Sequence, residues 1–171
     1  MLTIKRLIDV KPTEHDIAVN EYLKTLGIIY NAQCLGETKR DEWVCDEWRV
    51  TFNRGNKKES FEYFTGIGHR VSKVTMPDII RKSPRSVAAK RWVKENVKPH
   101  TPQAAGVLYS LLTDTSATEQ SFANWCADFG YDMDSRKAFS VYEACQQNAD
   151  KLFKLFTSEE RTKLSTLLED Y

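Results

Sequence analysis

The chain contains few of the residues that interrupt or cross-link small proteins: among 171 residues there are 7 glycines, 5 prolines and 4 cysteines. The cysteines are far apart and form no C-x-x-C pair, which argues against the common zinc and thiol-exchange motifs. We interpret all four as reduced thiols of a cytoplasmic protein. No apolar run approaches the roughly 20 residues of a membrane span, and the N-terminus lacks the apolar core of a signal peptide. We therefore predict a soluble intracellular protein with no membrane partner.

Recognisable catalytic and nucleotide-binding motifs are also missing. Neither G-x-x-x-x-G-K-[ST] nor G-x-S-x-G occurs, and the histidines show no metal-ligand spacing. The loop Thr65–Arg70 (TGIGHR) could bring backbone amides close to a phosphate, but its two glycines favour a strand-ending turn. His69 and His100 could join a carboxylate around a metal, or His69 could serve an enzyme site, yet no spacing supports either. We expect no catalytic residues, no metal and no cofactor.

A calcium loop can be rejected from the residue types at its fixed positions. Asp132, Asp134 and Glu143 would occupy positions 1, 3 and 12 of such a loop. Arg136 and Lys137 would then stand where the loop requires an oxygen ligand and a glycine. We interpret Asp134 or Ser135 as the cap of a following helix.

Hydrophobic periodicity predicts an α+β fold with an N-terminal helix, a three-stranded antiparallel sheet, a basic helical insertion and about four C-terminal helices. The boundaries are 1–70 for the sheet part, 71–100 for the insertion and 101–171 for the helical part, within one compact domain. Strands are predicted at Ile28–Leu35, Trp48–Phe52 and Phe61–Thr65. Capping boxes are predicted at Thr13–Asp16, Ser116–Glu119 and Thr157–Glu160, and further helix starts at Ser83-Pro84 and Thr101-Pro102.

The charge is balanced overall but unevenly distributed. The formal net charge is +1, whereas residues 1–67 carry −1, residues 68–100 carry +7 and residues 101–171 carry −5. The cations of the middle segment would surround a helical side formed by Val87, Ala88, Arg91 and Trp92. The residues that we predict to bind a partner are Arg70, Arg81, Lys82, Arg85, Lys90, Arg91, Trp92 and Lys94.

Three interpretations of this basic segment remain open. It could contact phosphates, with Trp92 available for stacking on a base. It could dock on an acidic protein, whose charge would accelerate encounter. It could also be a solvated segment whose field only complements the acidic C-terminal helices of the same chain.

Two stretches resemble a group of small proteins encoded by bacteriophages and prophages. The first is WRVTF at 48–52 followed by FTGIGHR at 64–70, and the second includes FANWC at 122–126 and the distinctive FGYDMDSRKA at 129–138. The similarity covers most of residues 44–156. It implies a phage origin and a bacterial host cytoplasm, and it transfers no functional residues to this chain.

The resemblance shapes the expected function, since small phage proteins without catalytic motifs often bind and block a host protein. We therefore expect a protein-binding inhibitor or modulator of a host or anti-phage defence complex, for example a CRISPR effector, that acts by steric occlusion. The alternative is a nucleic-acid-binding module that uses the basic segment 70–98.

Overall fold

A computed structural model describes residues 12–40, 43–66, 82, 86–96 and 99–171. These residues form a helix, three strands and five further helices, as the predicted α+β class requires. The strands pair in the order β1-β2-β3, so each strand neighbours the next one along the chain. The elements are α1 Glu14–Thr25, β1 Ile28–Arg40, β2 Trp43–Arg54, β3 Lys57–Gly66, α2 Val87–Asn96, α3 Ala104–Ala117, α4 Phe122–Phe129, α5 Arg136–Leu155 and α6 Ser158–Leu167.

The chain divides into two compact units, and the three strands contribute to both. The first unit includes the described residues 32–40, 43–49, 62–66, 82, 86–96 and 99–102. The second includes residues 12–31, 50–61 and 103–171. The division of the chain into 1–70, 71–100 and 101–171 stays a prediction.

The core of the second unit is built from one end of the sheet and five helices. Helix α3 packs against α1, α5 and α6, while α4 packs against α5. Alternation places every second residue of β2 inward, and its Val50 and Phe52 are fully buried. The inward side chains of the helices include Val19, Leu23, Leu108, Leu111, Leu152, Leu155, Phe156 and Leu164.

Local capping chemistry defines several helix ends as predicted. Thr13 accepts a hydrogen bond from the Asp16 amide at 3.2 Å, and the Asp16 carboxylate accepts one from the Thr13 amide at 2.8 Å. Thr157 and Glu160 form the same reciprocal pair at the start of α6. These boxes satisfy amides that the first turn of a helix cannot pair.

The predicted capping box at Ser116 is wrong. Ser116 lies within α3, and its hydroxyl donates to the Leu112 carbonyl four residues earlier at 3.0 Å. The cap of α4 is Ser121 instead, whose hydroxyl accepts from the Asn124 amide. The helix predicted to begin at Thr101-Pro102 begins slightly later in the structure. Gln103 is the N-cap of α3, and the helix starts at Ala104.

All three strands are longer than predicted from the alternation of apolar and polar residues. β1 continues to Arg40, and β2 begins at Trp43, five residues before the predicted start. Gly55 takes the first position of the two-residue turn between β2 and β3 with φ +57°, which a glycine adopts without strain. The inward-facing residues of β2 also include Asp46, which is 1% exposed. Because aspartate is polar, the hydrophobic pattern of the sequence did not predict that it faces inward.

Candidate interaction surfaces

The predicted partner-binding residues lie only partly within the described chain. Arg70, Arg81 and Arg85 are outside it. Lys82, Lys90 and Arg91 are exposed and belong to the first unit, and Lys90 and Arg91 are neighbours on α2. We call these three exposed cations the cationic surface. Lys94 belongs to α2, and Trp92 on the same helix is half-buried.

The exposure of the α2 side chains shows which side of this helix is covered. Among those that the structure describes, Ala89 is buried, at 1% exposure, and Trp92 three positions later is partly covered. On the predicted side of Val87, Ala88, Arg91 and Trp92, Val87 is 75% exposed. The Ser86 hydroxyl accepts a bond from the Ala89 amide at 3.1 Å, which satisfies a donor in the first turn. Because Ala89 and Trp92 define the inward face, Lys90 and Arg91 remain outside.

The cationic surface has no ion-pair partner within the part of the chain that the structure describes. A described cation that does form an ion pair is Arg54, whose guanidinium lies 2.7 Å from the Glu160 carboxylate. Lys90 and Arg91 belong to the first unit, and no carboxylate in the described ranges lies within ion-pair distance of either. Their charges are therefore available to a ligand outside the chain.

A second surface, which the sequence did not indicate as a site, is formed by α4, α5 and the loop between them. Its exposed members are Phe129, Tyr131, Met133 and Phe139, which we call the aromatic surface. Phe129 and Tyr131 contact the buried Trp125, which in turn contacts Tyr142; Trp125 and Tyr142 are 3% and 7% exposed. Trp125 stacks on Tyr131 with ring centroids 4.8 Å apart and planes 9° from parallel.

The aromatic surface is held in place by ring contacts and backbone hydrogen bonds. Phe122 contacts Phe139 edge-on at 5.5 Å, and Trp125 contacts Phe129 at the same distance. Gly130 ends α4 in the left-handed conformation at φ +70°, and the Tyr131 amide donates to the Cys126 carbonyl at 2.9 Å. These contacts fix the rings before any partner arrives, which lowers the entropic cost of binding.

Two further hydrogen bonds complete this arrangement, one in the α4–α5 loop and one between α5 and the residue pair before α4. Asp132 accepts the Asp134 amide at 3.0 Å, and the Tyr142 hydroxyl donates to the Gln120 carbonyl at 2.7 Å. Ser135 caps α5 by accepting the Ala138 amide, so the helix start predicted at Asp134 or Ser135 is assigned to Ser135.

The chemistry of the nearby thiol gives no support to a nucleophile. Cys126 is 2% exposed, and burial together with the charge of Asp132 raises its pKa. A thiol with a raised pKa has little thiolate at neutral pH. No group of three or more His, Cys, Asp or Glu side chains in the described ranges is arranged to hold a metal ion.

The structure describes His15, but it does not describe His69, the histidine of the predicted loop. His69 lies outside the described chain together with Ile67, Gly68 and Arg70, and β3 ends just before them at Gly66. The His15 ring nitrogen Nδ1 is 3.0 Å from the Leu167 carbonyl and acts there as a donor. Among the described helices, none is long and apolar enough to cross a membrane.

The chain matches no protein-family model, and no curated protein or solved structure is significantly similar to it.

Proposed function

We propose that this protein is a non-enzymatic binding protein that inhibits or modulates a host or anti-phage defence complex by steric occlusion. The observation that supports the proposal most directly is the cationic surface, where Lys82, Lys90 and Arg91 are exposed without an ion-pair partner among the described residues. An acidic partner surface would supply the missing carboxylates, and the opposite charges would accelerate the encounter.

The setting of the proposal is the cytoplasm of an infected bacterium. A CRISPR effector is one concrete example of a defence complex that such a protein would block. The protein would cover a surface that the complex needs, and this action requires no catalytic residue, metal or cofactor. Val87, which is 75% exposed beside the cations, would add apolar contact area to the interface.

The test is co-purification of the full-length protein from host cells, compared between the wild type and K90E/R91E. A charge-matched control is K24E/K163E, which reverses two exposed cations of α1 and α6. We expect the wild type and the control to retain a stoichiometric protein partner and K90E/R91E to lose it. Recovery of the same partner by all three proteins, or of no partner by the wild type, would contradict the proposal.

The inhibitory step has a separate measurement. Expression of the wild type in cells with an active CRISPR effector should restore plaque formation by a targeted phage, and K90E/R91E should not. Unchanged restriction by cells that contain the wild type would exclude that effector as the target.

The second candidate is binding of nucleic acid by the same cations. The exposed neighbours Lys90 and Arg91 favour this candidate, because Lys and Arg side chains that meet no described carboxylate can contact phosphates. Purified wild type would then bind DNA or RNA with an affinity that falls steeply with salt, and K90E/R91E would reduce the salt dependence. Absence of binding at low salt would remove this candidate.

A further inference from the structure

Helix α5 carries a regular row of side chains that the described part of the chain leaves exposed. Its members follow one another at intervals of four and three positions, and we call them the α5 stripe: Phe139, Glu143, Gln146, Asp150 and Phe153. Because this spacing repeats after every two turns, the five side chains lie along one face of the 20-residue helix.

Contacts within the second unit hold both ends of the α5 stripe in place. Phe139 meets Phe122 edge-on with ring centroids 5.5 Å apart, and the Arg161 guanidinium carbon lies 4.1 Å from the centroid of the Phe153 ring. Phe139 and Phe153 are nevertheless 48% and 44% exposed. Since both rings are already ordered, a partner gains apolar contact with them at a low entropic cost.

The middle of the α5 stripe is negatively charged. Glu143 and Asp150 are exposed and have no ion pair among the residues that the structure describes, and residues 138–150 include no lysine or arginine. Lys151 follows directly, but its ammonium group donates to the Ser60 carbonyl of β3 at 3.0 Å. The exposed cations of α5 lie beyond the two ends of the stripe, at Arg136, Lys137 and Lys154.

This distribution of charge selects one class of partner. Nucleic acid or an anionic membrane would bring phosphates against the two carboxylates, and like charges repel. A second copy of the stripe would do the same. A two-fold rotation near Gln146 places Glu143 of one copy opposite Asp150 of the other, and a parallel arrangement places each carboxylate opposite itself. Either pairing of like charges opposes association.

A cationic helix avoids this repulsion. Two Lys or Arg residues that are seven positions apart on the partner would lie opposite Glu143 and Asp150, which have the same separation. Apolar side chains on the outer sides of these cations would then reach Phe139 and Phe153. Docking of an amphipathic helix along an exposed face uses this combination of apolar anchors and charge pairs.

We propose that the α5 stripe binds a basic amphipathic helix of a partner protein. Glu143 and Asp150 pair with its cations, and Phe139 and Phe153 contact its apolar side chains. The inference goes beyond the proposed function, which concerns an acidic partner at the cationic surface of the other unit.

The first test is a fluorescence-anisotropy titration of the full-length protein with a labelled helical peptide of about 20 residues. The peptide carries two lysines seven residues apart, a leucine outside each lysine, and alanine and glutamine elsewhere. We expect the wild type to bind it and E143K/D150K to bind at least about tenfold more weakly. The matched control is E14K/E21K, which reverses two exposed carboxylates seven residues apart on α1 and should bind as the wild type does. A wild type that does not bind, or equal weakening by both variants, would overturn the proposal.

The second test exchanges the charges of the two partners. A peptide with glutamates in place of both lysines should bind E143K/D150K more tightly than it binds the wild type. If the wild type binds the glutamate and lysine peptides equally well, charge does not select the partner and the proposal is wrong. Self-association of the wild type that E143K/D150K abolishes, measured by sedimentation equilibrium, would assign the stripe to a second copy instead.

The apolar ends of the stripe have a separate variant. F139A/F153A should weaken binding of the lysine peptide at least about tenfold, because both aromatic anchors are lost. Circular dichroism checks that this variant remains folded. A folded F139A/F153A protein that binds as tightly as the wild type would contradict the assignment of these two rings.

Discussion

Arg54 and the cations of α2 show how differently the same kind of charge is used in two regions of one chain. Arg54 follows the predicted second strand, and its guanidinium donates to both Glu160 oxygens, at 2.7 and 2.8 Å, and to the Leu155 carbonyl at 2.7 Å. Lys90 and Arg91 are exposed and have no ion pair within the described chain. The first cation stabilises the fold, whereas the others are free to contact a ligand.

The difference is determined by what the tertiary structure brings near each charge. Glu160 lies 106 residues after Arg54 along the chain, and only the packing of α6 near the β2–β3 turn brings them together. The pair is partly shielded, with side-chain exposures of 29% and 15%. The bonds from Arg54 and from the Thr157 amide lower the pKa of Glu160 to about 2, although burial acts in the opposite direction.

The largest expected effect follows from removing Arg54. Arg54→Ala leaves the Glu160 carboxylate and the Leu155 carbonyl without their donor, and we expect the free energy of unfolding to fall by about 2–3 kcal/mol. Urea denaturation followed by circular dichroism measures the change. The control is Lys57→Ala in the same hairpin, which removes one exposed bond to the Lys154 carbonyl and should cost less than about 0.5 kcal/mol. Equal losses would show that Arg54 has no special structural role.

Acid should weaken the same contact in the wild type. The folded pKa of Glu160, about 2, lies below its ordinary value of 4.5, so the carboxylate contributes its full stability above about pH 5. That contribution is lost as the pH falls through 2. We expect a loss of about 1–2 kcal/mol from this residue after allowance for solvent screening.

The acid effect can be assigned to Glu160 by substitution. Glu160→Gln cannot titrate, so its stability should fall less steeply between pH 5 and pH 2 than that of the wild type. Parallel pH profiles for the two proteins, measured by urea denaturation, would mean that other carboxylates cause the acid dependence.

We expect a smaller effect when the guanidinium of Arg54 is replaced by another positively charged group. Arg54→Lys retains a cation, but an ammonium group cannot donate two parallel bonds to Glu160 and a third to Leu155. We expect a loss of about 1 kcal/mol in the same denaturation experiment. A loss as large as that of Arg54→Ala would show that the charge contributes little beside the geometry.

The smallest effect is expected on the cationic surface. K90E/R91E changes exposed side chains without ion pairs in the described part of the chain, so the free energy of unfolding should change by less than about 0.5 kcal/mol. A decrease of more than about 1 kcal/mol in the free energy of unfolding would show that these cations stabilise the fold.

Much of the fold was predictable because its signals are local. The boxes at Thr13–Asp16 and Thr157–Glu160 depend on residues three positions apart, and the Gly55 turn depends on one backbone conformation. The error at Ser116 has the opposite origin. The Ser116 hydroxyl donates to the Leu112 carbonyl inside α3, so it does not cap a new helix. Whether Ser116 forms this bond or a cap depends on how far α3 extends, and that is decided by the packing of α3.

The aromatic surface was not predicted, although its signal was present. The segment FGYDMDSRKAF contains four large apolar side chains among charged ones, whereas the prediction uses it only for the resemblance to phage proteins and for the cap of the following helix. Periodicity indicates which residues have an apolar side, but it does not count how many of them the neighbouring helices can cover. Phe129 and Phe139 remain outside because Phe122, Trp125 and Tyr142 already fill the space between α4 and α5.

The sequence by itself determined the element types, the α+β class and the concentration of positive charge in residues 68–100, since these depend on short-range spacing and composition. Only the tertiary structure decided which charges are paired, which face of α2 is buried and which aromatic side chains remain exposed. These properties depend on contacts between residues up to 152 positions apart, such as His15 with Leu167. Such contacts follow from the simultaneous packing of all elements, and no local pattern specifies them.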